Sequence, residues 1–314
     1  MVFIMLSRVA DSLYWMSRYF ERADNASRVL KATYGLILNP AKFSTEERWF
    51  RAVSSLAPGA ASNNVDPQRA LFSLVADPEG AFSIVKCISA ARENARQVRE
   101  EISSEMWEHL NRLFHDVTGF ELQPDDDAGA MRVVSLIREG SYRFNGIAAT
   151  TMNHDEAWHF IQLGKYIERA CNLCVILDAY FIVGKHPDDL DWLGLLSSCA
   201  AFEAYCKACT AELKPDRIAN FLLLKPEFPY SVRYSVDRMH QALAAISNLS
   251  LSRRTENVER LIGRLRSMVT YVQIAEIITG LHKYLAAIME QCRELHAAVH
   301  ELYIEYPIEV AFQN

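Results

Sequence analysis

SRYFERADN, residues 17–25, recurs as GKYIERACN, residues 164–172. The two stretches share a small residue, a cation, a tyrosine, an apolar residue, the run Glu-Arg-Ala and a closing asparagine. Around the first copy, apolar side chains fall at Leu6, Val9, Leu13, Met16, Phe20, Ala23 and Leu30, with Ser27 the one polar break. Steps of three and four place these residues along one face of an α-helix. The second copy keeps the stripe at Leu163, Ile167, Ala170, Cys174 and Leu177. Almost no segment alternates with the period of two that a half-buried strand needs, and the one Asn-Gly hairpin signal is FNGI at 144–147. The chain reads as all-α throughout.

The likeness extends past the motif. WFRAVSSLA from Trp49 resembles WLGLLSSCA from Trp192, and DPQRALFSLVADPEGAFSIVKCI from Asp66 resembles KPDRIANFLLLKPEFPYSVRYSV from Lys214. In the last pair Pro67, Arg69, Pro78, Glu79, Ser83 and Ile84 meet Pro215, Arg217, Pro226, Glu227, Ser231 and Val232. Three landmarks in one order imply tandem duplication of a helical unit of about 100 residues. Each unit is expected to contain a long helix, a Trp-led helix, a short helix after proline, and a long helix starting near Pro-Glu. ELQPDDDAG, residues 121–129, reads as a turn before a helix from Met131 to about Thr150. The expected layout is one helical bundle over residues 5–306: repeat one at about 5–120, a connecting helix at about 128–150, repeat two at about 154–270, and one or two closing helices within about 256–306. The repeats are expected to pack across a pseudo-two-fold axis.

Half of the 314 residues are hydrophobic and 23% are charged, with 12 Gly and 10 Pro, a profile of a folded chain with little room for disordered tails. A net charge of −6 argues against a general nucleic-acid or anionic-membrane binder. No apolar run approaches the roughly 18–20 residues that span a bilayer. MVFIMLSR, residues 1–8, lacks the pattern of a secretory leader, and Met5 is a plausible alternative start. The seven cysteines, spread through helical stretches, suggest reduced thiols. Together these lead to the expectation of a soluble, cytoplasmic, bacterial-type protein.

Tyr14, Arg18, Glu21, Asn25 and Arg28 form a polar row beside the first stripe, matched in the second copy by Lys165, Glu168 and Asn172. Glu21 flanked by cations could bind an ammonium or act as a base. Alternatively, the row is an interhelical ion-pair network, which recurrence in both copies favours because packing is needed twice and an active site once. A second cluster, Arg92, Arg96 and Arg99, stands at i, i+4 and i+7, a spacing that can grip carboxylates or phosphates. Its counterparts are His240, Ala244 and Ser247, so the row exists in one half only. Otherwise it is a solvated helix with Glu93, Glu100 and Glu101 as local partners. The pairs Cys171/Cys174 and Cys206/Cys209 sit inside helical patterns and read as packing residues. EAWH, residues 156–159, is a lone Glu-x-x-His, and His296/His300 has no evident carboxylate partner. No Gly-rich phosphate loop, Ser elbow or H-E-x-x-H is present, so no metal or other cofactor is expected.

Four longer stretches carry a family resemblance: MLSRVADSLYWMSRYFERADNASRVL (5–30), RENARQVREEISSEMWEHLN (92–111), TMNHDEAWHFIQLGKYIERA (151–170) and FLLLKPEFPYSVRYSVDRM (221–239). In order, and running from about residue 5 to beyond 300, they resemble the bacterial alpha-E family. The resemblance implies an all-helical protein found beside a circularly permuted ATP-grasp-like ligase, a transglutaminase-like cysteine protease and sometimes an Ntn-type peptidase. Such company implies a system that makes, attaches or trims a small peptide or amide-linked product. The family's Glu-Arg signatures fall on Glu21, Arg22, Glu168 and Arg169. Its Arg-Glu-Asn-x-Arg run falls on Arg92, Glu93, Asn94 and Arg96, and its acidic-aromatic signature on Glu105 and Trp107. The chain departs at Tyr230, where the family more often has Arg, and at CNLCVILD (171–178), which replaces a more polar stretch. Both departures lie in the second copy and shift the expected anion site to the first.

The expected function is a helical partner that docks the ligase and presents a peptide, with binding residues Arg18, Arg22, Arg92, Glu93, Arg96, Arg99, Glu105, Glu168 and Arg169. The alternative is an enzyme with Glu21 as base and Arg92, Arg96 and Arg99 holding a carboxylate or acyl phosphate, which requires both groups to face one cleft. A metal-dependent helical oxidase is the third reading. The expected small ligand is a carboxylated amino acid or short peptide, with no nucleic acid and no membrane.

Overall fold

The first apolar stripe becomes the buried face of α1 (Ser7–Ile37), with Val9, Leu13, Met16, Phe20, Ala23, Ser27 and Leu30 all in the interior. Leu6 is the exception. It precedes the helix at the N-cap and is 67% exposed, because the periodic pattern outruns the helix by one residue. The second stripe lies on α7 (Glu156–Phe181), where Leu163, Ile167, Ala170, Cys174 and Leu177 are likewise buried. The protein, seen in a computed structural model, is described over residues 5–38, 45–57, 66–77, 83–181, 187–209, 212–249 and 255–304. Among these residues there is no strand, and the fold is an all-α bundle.

Between and around the two long helices run α2 (Thr45–Leu56), α3 (Pro67–Val75), α4 (Ile84–Gln97), α5 (Ser104–Thr118), α6 (Asp127–Thr151), α8 (Asp189–Ser198), α9 (Phe202–Cys209), α10 (Pro215–Leu224) and α11 (Val232–Leu249). The chain then forms α12 (Glu256–Thr270), the single-turn α13 (Ile274–Ile277) and α14 (Leu281–Tyr303). FNGI lies inside α6, with the Asn145 amide donating back to the Ser141 carbonyl at 2.8 Å, so it makes a helical turn and no hairpin. The closing region has three helical pieces after residue 255 where one or two were expected. A Gln273–Glu276 capping box starts the extra turn. The C-terminal bound at 306 lies outside the described residues.

Helices α1 and α7 cross at the centre, and the remaining pairings are reciprocal. α4 packs on α1 as α11 packs on α7; α2 packs on α7 as α8 packs on α1. The crossing is tight at the first position of each motif copy. A Cβ on Gly164 would stand 2.3 Å from both the Tyr14 carbonyl oxygen and the Ser17 hydroxyl. The exchange of α2 and α8 is fastened by a buried cluster in which Arg51 Nη1 meets Asp191 Oδ2 at 3.0 Å, with Arg48 Nε 3.7 Å from the other carboxylate oxygen. Asp191 also closes a capping box with Asp188 at the start of α8. That box sets the helix start at Asp189, so Trp192 enters one turn into the helix it was expected to lead. Trp49 likewise follows the start of α2 at Thr45.

The expected start of the long helices near Pro-Glu is corrected in the second half. Residues 226–230 form turns, and α11 begins at Val232 because the Ser231 hydroxyl accepts the Tyr234 N–H at 3.0 Å. Its counterpart Ser83 caps α4 in the same way, accepting Lys86 N–H at 3.3 Å. Pro78 and Glu79 lie outside the described residues. The prolines that do open helices are Pro67 and Pro215, at the first positions of α3 and α10. Of the five tryptophans, Trp49 and Trp192 are core residues, while Trp15, Trp107 and Trp158 are only partly covered.

The close approach at Gly164 makes a prediction. Gly164→Val forces its side chain into backbone atoms of α1 that cannot rotate away. It should lower stability by about 1–3 kcal/mol or more, read as a reduced urea midpoint at unchanged slope.

Candidate functional site

The Glu-Arg pairs of the two central helices face each other across the crossing and exchange partners. Arg169 on α7 forks onto Glu21 of α1, Nε to Oε1 at 2.6 Å and Nη2 to Oε2 at 2.8 Å. Reciprocally, Glu168 on α7 receives Arg22 Nε at 2.8 Å and Arg18 Nε at 2.9 Å. Glu21, Glu168 and Arg169 are each only 4% exposed. Burial alone would push the Glu168 carboxyl up, but the Arg18 and Arg22 charges beside it overcome that and hold it below its ordinary value. Each oxygen of Glu21 accepts one hydrogen bond from Arg169, so the carboxylate is held as a buried ion pair.

Tyr230 joins the same network. Its ring lies between two guanidiniums, 4.1 Å from Arg169 and 3.7 Å from Arg28 measured to the centroid. Its hydroxyl meets Arg28 and Asp24, the latter at 3.3 Å, while Arg169 also donates to the Pro229 carbonyl at 3.2 Å. An arginine at this position would put a third cation against two, whereas the tyrosine face attracts both. Asn25 and Asn172 line a smaller cavity of about 130 Å³ with Arg22 and Glu168.

The arginine row divides. Arg92 bonds Asn111 Oδ1 at 2.9 Å and lies over Phe114 and Trp107, at 4.8 and 5.7 Å. Arg99 covers the same indole at 4.8 Å. Arg96 turns outward to an exposed pair with Glu93 at 2.7 Å. Glu105 is exposed in the first turn of α5. The expected single helical face of the three arginines is corrected, because α4 ends at Gln97 and Arg99 lies in the turn that follows, where it reaches the same aromatic helix as Arg92. None of the three lines the cavity that Glu21 borders. The single cleft required by the Glu21-plus-arginine enzyme is therefore absent from that cavity.

That cavity, about 440 Å³, opens between α1, α6, α7 and α11. Phe20, Phe144, Trp158 and Tyr166 supply aromatic wall, and the polar lining includes Lys165, Gln162, Gln241, Arg238, His154 and His159. Lys165 stands where the first copy has Arg18. Arg18 finds Glu168, but the matching carboxylate for Lys165 is Glu21, whose two oxygens Arg169 has taken. Lys165 instead donates to Asn145 Oδ1 at 2.6 Å. Burial, with the Arg169, Arg28 and Arg238 charges adding to it against Glu21, pushes its ammonium down to about 7. His154 stacks on Trp158 at 4.3 Å, and burial together with His154 lowers His159. The sequence places Lys165 only as a member of the polar row and not among the expected binding residues. The substitution of Lys for Arg within the repeated frame was its one visible signal.

The other candidates fall into place around these. Glu156 of EAWH accepts the Met5 backbone N–H at 3.2 Å. His296 sits 2.9 Å from the Tyr14 hydroxyl and is pushed down to about 4 by burial, Arg18 and His300. His300 does have a carboxylate neighbour, Asp11 at 3.9 Å across the α1–α14 contact. All seven cysteines are free thiols, three of the four in the C-x-x-C pairs only partly buried. No group of three or more His, Cys, Asp or Glu among the described residues is placed to hold a metal ion. No helix among them is long and apolar enough to cross a membrane.

Compared with known proteins, residues 5–304 match the family model Alpha-E, described as "a predicted alpha-helical domain with a conserved ER motif". An uncharacterized protein of Mycobacterium bovis is 25% identical over 310 residues, covering 88% of this chain and 35% of its own length. Two of Mycobacterium tuberculosis are 25% and 24% identical with the same coverage. The chain thus spans about 35% of the length of the curated relatives it matches. No solved structure matches it.

Two outcomes follow from the ion pairs. Glu21→Gln or Arg169→Met alone strands a buried partner and should cost about 3–5 kcal/mol, whereas Glu21→Leu with Arg169→Met should cost less than either, measured as a double-mutant cycle in urea. Because the Glu168 carboxyl is held low, its contribution is complete above the ordinary carboxylate range and disappears as pH falls through the lowered value. Glu168→Gln should therefore flatten the acid limb of stability against pH.

Proposed function

The chain belongs to the Alpha-E family, and on that basis we propose that it is a cytoplasmic helical accessory module of an ATP-grasp-linked system for making or modifying a peptide or amide product. Its role is to dock a circularly permuted ATP-grasp-like ligase, in the company of a transglutaminase-like protease, and to bring a carboxylated substrate to the ligase. The observation that carries this reading is coverage: the same stretch occupies 35% of its longer relatives, as a module working beside other domains would. The Glu-Arg network adds support. A motif consumed in joining α1 to α7 suits a scaffold better than a catalyst. Tandem duplication of one helical unit is the simplest origin for the reciprocal packing, and we include it in the proposal.

The docking face proposed is the charged surface of α4, α5 and the turn between them, where Glu93, Arg96, Arg99 and Glu105 are exposed. Arginines at such a rim add directional contacts and steer encounter. The test is co-expression with the ATP-grasp-like ligase, followed by size-exclusion chromatography with light scattering. The expected result is a stable stoichiometric complex, weakened about tenfold by Arg92→Ala with Arg96→Ala. Failure to form a complex in the presence of ATP and magnesium would overturn the reading.

A further inference from the structure

The cavity between α1, α6, α7 and α11 contains an ammonium whose hydrogen-bond partner is neutral. At the crossing the arginines have carboxylate partners: Arg169 holds Glu21, Arg28 holds Asp24, and Arg18 and Arg22 share Glu168. Half-buried beside these pairs, Lys165 bonds a neutral group, the Asn145 carbonyl. Burying an ammonium without a counter-charge is costly, and the fold tolerates it here only at the wall of a space large enough to admit a ligand. At the rim, Arg238 is held by the Tyr234 hydroxyl at 2.9 and 3.0 Å and by Gln241 at 3.0 Å, which fixes a second cation on the helix facing Lys165. Phe144 and Trp158 line the same cavity.

We propose that this cavity binds a small monocarboxylate with an apolar or aromatic body, its carboxylate between Lys165 and Arg238 and its body against Phe144 and Trp158. One carboxylate can accept from both Lys165 and Arg238, whose own hydrogen-bond partners are neutral, while the aromatic lining suits an apolar body. The volume, about 440 Å³, falls in the range of about 300–1,000 Å³ typical of small-molecule sites. The assignment depends on the cavity alone and goes beyond the docking role, so the absence of a ligase complex would leave it standing.

Binding and proton uptake are linked at Lys165. The groups facing its ammonium are Asn145 from α6, Glu21 and Arg28 from α1, Arg169 and Tyr166 from its own helix, and Arg238 from α11, with His154 and His159 in the same wall. Tyr166 is pushed up to about 12, Arg169 is raised further and His159 is lowered, so none of these three titrates just above neutrality. A bound carboxylate favours the protonated ammonium. Affinity is therefore full below about pH 7 and declines as pH rises through that value, by about tenfold between pH 7 and 8.5.

The test uses the full chain and two probes, N-acetyl-L-phenylalanine and its uncharged amide, titrated calorimetrically. The expected result is binding of the acid at least about tenfold tighter than the amide, with Lys165→Met losing at least about tenfold in affinity for the acid. Lys165→Arg should keep the binding and lose the pH step, because guanidinium does not deprotonate in this range. Arg238→Gln, at the surface, gives a second variant with little risk to folding and is expected to weaken the acid severalfold. Equal affinity for acid and amide, no heat from either probe up to about 10 mM, or a pH step that survives in Lys165→Arg would each overturn the assignment.

Discussion

Two carboxylates buried where two helices cross must each find a cation on the other helix, and the architecture is built around that demand. Glu21 takes Arg169, and Glu168 takes Arg22 and Arg18. Such pairs add little net stability once desolvation is counted, but a one-turn slip of α1 along α7 would leave charges stranded in the interior. The interaction therefore fixes register more than it adds strength. The close approach at Ser17 and Gly164 enforces the same register by steric means, since a backbone contact of that kind admits one relative placement.

The two halves satisfy the demand unequally, and the difference generates the cavity chemistry. Glu168 divides its oxygens between two arginines. Glu21 gives both to one, so the cation expected beside it, Lys165, has to turn to Asn145. A row that reads as symmetric in sequence thus yields an arginine–carboxylate cluster on one side and, on the other, a lysine whose ammonium is pushed down to about 7. Tyr230 belongs to this same economy of charge: two guanidiniums converge from α1 and α7, and an aromatic face separates them without adding a third cation.

The central helices were legible because their stripes obey a helical period through a repeated frame, and the ion-pair reading of Glu21 and Glu168 was legible because both copies retain it. What sequence could not convey was how polar groups choose among partners. Proline next to glutamate looks like a helix start, yet hydroxyl capping by Ser231 and Ser83 sets the boundary, a decision made by one hydrogen bond. Three arginines at helical spacing share a face in projection, but Trp107 and Phe114 draw two of them down while Arg96 leaves for Glu93. Lys165 was visible as a departure from Arg18. Its significance depended on which carboxylate Arg169 would occupy, and that is a three-dimensional fact.

The exchanged packing also has a consequence for synthesis. Glu21 and Arg169 are 148 residues apart, so at about 5–20 residues per second the carboxylate waits on the order of ten seconds for its partner to emerge from the ribosome. In that interval α4 and α6 can already pack on α1, but Glu21 lacks its cation and α2 lacks the helix it is meant to cover. Closure of the central crossing is thus a late step in translation, made after the helices of the first half have emerged.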